Sequence, residues 1–446
     1  MRYAIVNLGC KVNRVESDSL ALAFESLGMK PLVAGVQGSA QGETDNAAAD
    51  LVVINTCTVT GEAEKKTRKA VRRALKDHSH AIVIVTGCAA AIDAEVFEQM
   101  DNRVVVVGKL ELSQAAQTRA GLLRVAPSLA FAAGEDGIEG AEGTDSADGA
   151  GGTEGTGGEG TEEDKASLLR VGGDFPTRVG IKVQDGCNNA CTYCIVHVAR
   201  GRAWSRPYAE VLDELIRYTQ AGVHEIVLTG INLGSYKDGD MDLTALLERM
   251  LEETEGVRFR ISSIESRDVD DRLIALMARS EGRIARHLHL PLQSGSARVL
   301  REMARPYTAE QFSDLVEKLY AAMPQLSLST DIIVGFPGET EEDFAATLAM
   351  AKRCRFSKIH VFPYSIRTGT PAAKRSDQID PRIKAQRAQQ LSELGEALRK
   401  QEYEKRRGSI EEVLVESNGK GMTESYFEIA VSDDLAPGAL VNMRLP

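Results

Sequence analysis

Residues 179–201 read "VGIKVQDGCNNACTYCIVHVARG", a short apolar run followed by Cys187, Cys191 and Cys194 within eight residues of a chain that has seven cysteines in all. The run at 179–183 is the first of a series. Others stand at 225–228, 259–264, 287–290, 329–334 and 359–362, separated by helix-like stretches such as 209–221, 243–251 and 309–323. Short apolar runs alternating with helical periodicity predict βα units, and six in series predict a full or partial parallel barrel. The working face of such a barrel lies at the carboxyl ends of its strands. The three cysteines come directly after the first strand, which puts them on that face.

Three thiols at spacings of four and three narrow the chemistry. A zinc site usually takes four protein ligands, and His197 is the one nearby partner. A thioredoxin-like redox pair needs two cysteines. A [4Fe-4S] cluster normally takes four thiolates, so three leave one iron open to hold a substrate. A thiol cluster in a loop with Asn188 and Asn189 has no packing reason.

The first part of the chain carries a second pattern. "YAIVNLGC" (3–10), "LVVINTC" (51–57) and "AIVIVTGC" (81–88) are apolar runs that each end in a cysteine, and "RVVVVG" (103–108) follows. With helix-like stretches at 16–27 and 62–75 between them, they predict parallel strands in a Rossmann-like α/β sheet. Ligands of such sheets bind at the carboxyl ends of the strands. Any one of Cys10, Cys57 and Cys88 could be a small buried hydrophobe. At three equivalent strand ends they converge on one point.

The remaining composition sets the boundaries. The 446 residues are 43% hydrophobic and 26% charged, ordinary for a globular protein of two or three domains. The net charge of -12 comes mostly from 134–164, a Gly-, Ala-, Ser- and Thr-rich stretch with roughly eleven acidic charges and no aromatic, Lys or Arg, which predicts a disordered spacer. Without it the body is near neutral, so a nucleic-acid partner is not excluded. We expect an N-terminal domain over 1–125, the linker over 126–172, the barrel over 173–407 and a small all-β domain over 408–446. The last shows alternating apolar positions between Gly and Pro turns, with acids at Glu411 and Glu412. Residues 381–407 predict a long helix joining it to the barrel. No apolar run is long enough to span a bilayer, and the odd cysteine count with no secretory segment predicts a reducing cytoplasm. A monomer is the expected state. Cys354, on a helical stretch, is expected to serve packing.

Other loops past strand ends carry candidate contacts. "VLTGINLGSY" (227–236) offers Gly230, "SSIES" (262–266) offers Glu265, and "HLPLQSGS" (289–296) offers Gln293 and Ser294. "DIIVGFPGET" (331–340) joins Asp331 and Gly335 to a helix capped by Thr340. "ARGRAWSRP" (199–207) places Arg200, Arg202, Arg206 and the only tryptophan, Trp204, beside the cysteine loop, a charge-and-aromatic patch suited to single-stranded RNA.

Together "NLGCKVN", "NTCTVT", "TGC", "GCNNACTYCIVHVARGRAWSRP", "LTGINLGSY", "HLPLQSGS" and "DIIVGFPGET" resemble the radical S-adenosylmethionine (SAM) methylthiotransferases over nearly the whole chain. Within that family "GCKVN" and "NTCTVT" are most similar to the branch acting on N6-threonylcarbamoyladenosine at position 37 of tRNA. The resemblance implies an N-terminal cysteine-bearing domain, a partial (β/α)6 radical SAM barrel and a C-terminal TRAM-like domain. Cys187, Cys191 and Cys194 would hold the [4Fe-4S] cluster whose open iron chelates SAM. One electron would cleave SAM to a 5'-deoxyadenosyl radical that takes hydrogen from C2 of the adenine. Cys10, Cys57 and Cys88 would hold a second [4Fe-4S] cluster carrying the sulfur, and a second SAM would supply the methyl group. Gly230, Glu265, Gln293, Ser294, Asp331 and Gly335 would line the SAM pocket. The tRNA anticodon loop is the implied partner, with an electron donor that no residue identifies. The alternatives are the same chemistry on isopentenyladenosine or a ribosomal-protein aspartate, an iron-sulfur electron carrier, or a non-catalytic RNA-binding protein.

Overall fold

A computed structural model of the chain describes residues 1–32, 48–57, 61–129, 177–417 and 419–446. The expected linker lies outside the described residues from 130 onward.

The N-terminal sheet has five parallel strands in the order β2-β1-β3-β4-β5, with β1 Arg2–Asn7, β2 Lys30–Pro31, β3 Leu51–Thr56, β4 Ile82–Gly87 and β5 Val104–Val106. Every residue of β3 and β4 is buried. Helices pack on both faces, which is why those runs are continuously Val/Ile-rich and do not alternate. The helix α1 (Lys11–Ser26) follows β1, and α2 (Gly61–Asp77) follows β3.

The barrel strands are Arg178–Lys182, Glu225–Thr229, Arg258–Ile261, His287–His289, Ser327–Val334 and Lys358–Pro363, all within a few residues of the expected runs. The first three form one parallel sheet and the last three another, and a parallel bridge from Phe259 to Ile284 joins them. The result is the open six-stranded barrel the pattern predicts. Helices cover its outside, where Leu228, Phe259, Leu288, Leu328 and Ile332 enter one large apolar core. The alternate residues point inward and are largely polar: Arg178, Glu225, Arg258, Arg260, His287, His289, Ser329, Asp331 and His360.

An open barrel needs covers, and the two flanking domains supply them. The helix α1 lies against the first strand so closely that a Cβ on Gly180 would sit 2.3 Å from Cγ2 of Val15. The C-terminal sheet is antiparallel, with Ile410–Val415 between Lys420–Thr423 and Leu440–Arg444, and Glu428–Ala430 at one edge. It closes the amino-terminal mouth of the barrel. Arg258 and Arg260 donate to the carbonyls of Glu412, Thr423 and Glu424 at 2.8, 3.2 and 3.0 Å. Both arginines also clamp Glu225, at 2.6 and 3.0 Å. Burial pushes the Glu225 carboxyl up, and Arg258, Arg260 and Arg178 outweigh it, holding the group ionised. Glu411 and Glu412 therefore do not form an acidic outer face: Glu411 accepts from Ser425, and Glu412 pairs with Arg258 at 3.3 Å.

The helix Pro381–Glu404 does more than connect domains. It lies along the sixth strand as a barrel helix, and its buried Arg387 reaches Glu339 at 2.7 Å. Cys354 ends the helix Glu341–Cys354, fully buried, with its thiol 3.6 Å from Met350 Sδ. Among the described residues no helix is long and apolar enough to cross a membrane.

Candidate active site

All seven cysteines are free thiols. Cys10 caps α1, Cys57 directly follows β3, and Cys88 opens a helix straight after β4. The strands β1, β3 and β4 are neighbours, so these cysteines stand side by side at one edge of the sheet. A polar scaffold holds that edge. The Asn13 amide donates to Asn55 Oδ1 at 2.7 Å and to the Thr56 carbonyl at 2.9 Å, and its oxygen accepts from the Cys10 thiol at 3.3 Å. The Thr56 hydroxyl accepts from the backbone of Ala89 and Ala90, fixing the turn behind Cys88.

The second triplet sits on the carboxyl face of the barrel. Its loop turns at Gly186, where φ is +71° and a Cβ would lie 2.1 Å from the Arg202 carbonyl oxygen, so only glycine fits. Backbone N–H groups of Asn189 and Val196 point at the sulfurs of Cys187 and Cys194, each at 3.4 Å. Arg305 donates to Cys191 Sγ at 3.3 Å and pairs with Glu265. Burial pushes the Cys187 thiol up, and the Cys194 thiol up to about 11, so metal has to displace protons here. N–H groups aimed at three sulfurs suit a thiolate-held cluster.

Several buried polar atoms past the neighbouring strand ends have no hydrogen-bond partner among the described residues: Asn232 Oδ1, Ser266 Oγ and Asp268 Oδ2. An orphaned acceptor in a native fold calls for a ligand or water. Asn232 and Ser266 belong to loops expected to meet SAM, Asp268 lies two residues past the second of them, and none of the three was singled out from sequence. Glu265 is there too, its carboxyl raised by burial against the pull of Arg305.

The other expected SAM contacts are placed differently. Gly230 packs against Gln184, whose side chain would lie 3.0 Å from an added Cβ. Ser294 is fully buried and accepts from the Ser296 backbone, holding its own loop. Gln293 adopts φ +64° and exchanges backbone hydrogen bonds with Asp331 and Ile333. Gly335 donates its N–H to Glu339 at 2.6 Å. Asp331 points into the barrel and pairs with His289 at 3.3 Å.

The basic patch needs correcting. Arg200 does not face solvent: its side chain is 2% exposed, because Glu16 and Asp185 take the guanidinium at 3.0 and 2.8 Å. It also donates to Asn13 Oδ1 at 2.9 Å and to Cys88 Sγ at 3.3 Å. An arginine six residues after Cys194 thus touches the first cysteine triplet. Burial pushes Glu16 up, but Lys109, Arg200 and Lys182 outweigh it and bring it down to about 2. Arg206 is likewise tied, to Glu214 at 2.5 Å and the Lys182 carbonyl at 3.0 Å. Arg202 and Trp204 remain exposed, and Trp204 rims a cavity of about 1420 Å³ between the N-terminal domain and the barrel.

Residues 181–351 match the Radical SAM superfamily, and residues 2–108 match Uncharacterized protein family UPF0004. The chain is 35% identical over 434 residues to the Threonylcarbamoyladenosine tRNA methylthiotransferase MtaB of Bacillus subtilis (strain 168), covering 97% of this chain and 88% of that one. It is 34% identical over 424 residues to the tRNA-2-methylthio-N(6)-dimethylallyladenosine synthase of Carboxydothermus hydrogenoformans, covering 94% and 88%. In fold it is similar to the radical S-adenosylmethionine methyltransferase TsrM of Kitasatospora setae, solved with cobalamin and a [4Fe-4S] cluster, at TM-score 0.53 and 16% identity over 83% of this chain and 77% of that one. The chain belongs to the radical SAM methylthiotransferase family, in the branch whose members carry the name MtaB.

Proposed function

We propose that this transferase adds a methylthio group to C2 of N6-threonylcarbamoyladenosine at position 37 of tRNA, using two [4Fe-4S] clusters. The observation that carries the reading is the pairing of two cysteine triplets through Arg200, which stands in the loop of one and donates to a sulfur of the other. Cys187, Cys191 and Cys194 would hold the cluster that binds SAM, and Cys10, Cys57 and Cys88 the cluster that carries sulfur. When bound, the first cluster and SAM supply a carbon-centred radical able to remove an unactivated hydrogen. The chain's own groups do the rest. Arg305 and Glu265 fix Cys191 and its surroundings, and Asn232, Ser266 and Asp268 offer polar atoms to SAM. Asn13 and Arg200 orient Cys10 and Cys88, and Trp204 and Arg202 offer stacking and charge to an unpaired loop. The expected setting is the cytoplasm.

Substrate choice rests on "GCKVN" and "NTCTVT" and on the relatives named for threonylcarbamoyladenosine. Identity alone does not separate the branches, since relatives named for dimethylallyladenosine match at 34%. The test is mass spectrometry of tRNA nucleosides from a strain lacking the gene, complemented with wild type or Cys191→Ala. The methylthio form of threonylcarbamoyladenosine should vanish, return with wild type and stay absent with the variant. Loss of methylthio-isopentenyladenosine in its place would overturn the substrate assignment.

A further inference from the structure

Lys11 follows Cys10 directly, opens α1, and is exposed. Its ammonium lies 5.3 Å from the centroid of the Tyr426 ring, and among the described residues no carboxylate pairs with it. Tyr426 comes from the other end of the chain. It occupies the turn between Lys420–Thr423 and Glu428–Ala430 at φ +69°, in the left-handed region that a bulky side chain rarely adopts. That turn drives the ring into the barrel, where it stacks on His287 with centroids 4.7 Å apart and planes at 23°. The guanidinium of Arg260 lies 4.9 Å from the same ring, and that of Arg178 5.9 Å.

These cations are not equivalent. Arg178 and Arg260 are held by Glu225, at 3.7 and 3.0 Å. Lys11 is held by no acid. The wall beside it is built from the fourth, fifth and sixth strands. His287 and His289 share the Ser329 hydroxyl at 2.9 Å each, His289 pairs with Asp331, and the rings of His289 and His360 lie 5.7 Å apart. No hydrogen-bond partner fills the ring nitrogens of His360 among the described residues. The Lys11 ammonium, the Tyr426 phenol it hydrogen-bonds and the His360 imidazole, flanked by Asp331 and His289, thus lie near one another, next to a cysteine of the first triplet.

We propose that Lys11, Tyr426 and His360 form the pocket that receives an anionic substituent on the substrate base, the carboxylate of the threonylcarbamoyl group. The inference rests on the substrate reading above and adds the residues that make the choice. A carboxylate of this kind is ionised at neutral pH and offers Lys11 the anionic partner that no described acid supplies. An isopentenyl group offers none, and packing hydrocarbon against the ammonium removes water from it without compensation. The pocket therefore discriminates by attraction to one substituent and by desolvation against the other.

The test uses the full-length, iron-reconstituted protein and three anticodon stem-loop RNAs that differ only at position 37: threonylcarbamoyladenosine, its carboxyl methyl ester, and isopentenyladenosine. Binding is read by fluorescence anisotropy and turnover by mass spectrometry. Wild type should bind the acid about tenfold more tightly than the ester, the size of one charge-assisted hydrogen bond. Lys11→Gln should bring that ratio close to one, and Tyr426→Phe, which keeps the ring stack, should lower it in part, both with wild-type iron content and melting temperature. If Lys11→Gln loses iron or stability, the Tyr426→Phe ratio decides, and an unchanged ratio there overturns the proposal. If wild type modifies the acid yet binds acid and ester alike, this inference fails and the substrate reading stands. If wild type modifies only the isopentenyl RNA, both fail.

Discussion

Arg305 serves two groups at once, the sulfur of Cys191 and the carboxylate of Glu265, and it is itself nearly buried. Replacing it by glutamine leaves Glu265 a buried acid without its cation, so the carboxyl takes up a proton and the Cys191 sulfur loses its donor. Partners of metal ligands typically matter by 10–100-fold. Arg305→Gln should therefore slow reductive SAM cleavage by about that factor, measured as 5'-deoxyadenosine formed without tRNA. An unchanged rate would remove Arg305 from the site. None of this is visible in the sequence, where Arg305 stands 114 positions from Cys191. Arg200 hid differently. Its place beside the cysteine loop suggested RNA contact, and only the fold shows that Glu16, on a helix of another domain, takes its charge. The strand-end positions of the six cysteines were legible because spacing along the chain is a local property. Their charged neighbours were not, since ion pairs form between segments whose separation in sequence carries no pattern.

At the level of elements, α2 stands out. It starts four residues after Cys57, and Lys65, Lys66, Lys69, Arg72, Arg73 and Lys76 lie on its exposed side while Thr67, Val71 and Ala74 are buried. At about 1.5 Å per residue its axis runs roughly 25 Å away from the cysteine edge, a length suited to the backbone of an anticodon stem whose loop reaches the site. Reversing Lys69 and Arg72 together to glutamate should weaken tRNA binding uniformly and lower the slope of log affinity against log salt by about two. A filter-binding series at several salt concentrations measures it. An unchanged slope would free α2 of this role. The strand and helix pattern itself was readable throughout, since alternation of period 2 and 3.6 is a property of neighbouring residues. The sequence did not show that the C-terminal sheet covers the mouth of the barrel. Glu411 and Glu412 look like surface acids until Arg258 and Arg406 are found opposite them.

Across the molecule, the polar interior of the barrel explains how three domains become one catalyst. Glu225 gathers Arg178, Arg258 and Arg260 at the floor, the C-terminal sheet caps them, and α1 with its Glu16 closes the open side. Arg200 thereby links the loop of the second cysteine triplet to the first, although a long acidic stretch separates the two in sequence. The function proposed above requires that both triplets serve one reaction on one nucleoside. It is tested most directly by incubating purified, iron-reconstituted protein with tRNA carrying threonylcarbamoyladenosine, SAM and a strong one-electron reductant, and weighing the digested nucleosides. Wild type should add the mass of a methylthio group, and two triple variants, Cys187, Cys191 and Cys194 to Ala and Cys10, Cys57 and Cys88 to Ala, should each add none. Methylthiolation that survives loss of the N-terminal triplet, or its absence with wild type carrying both clusters, would show that the two triplets do not share this reaction.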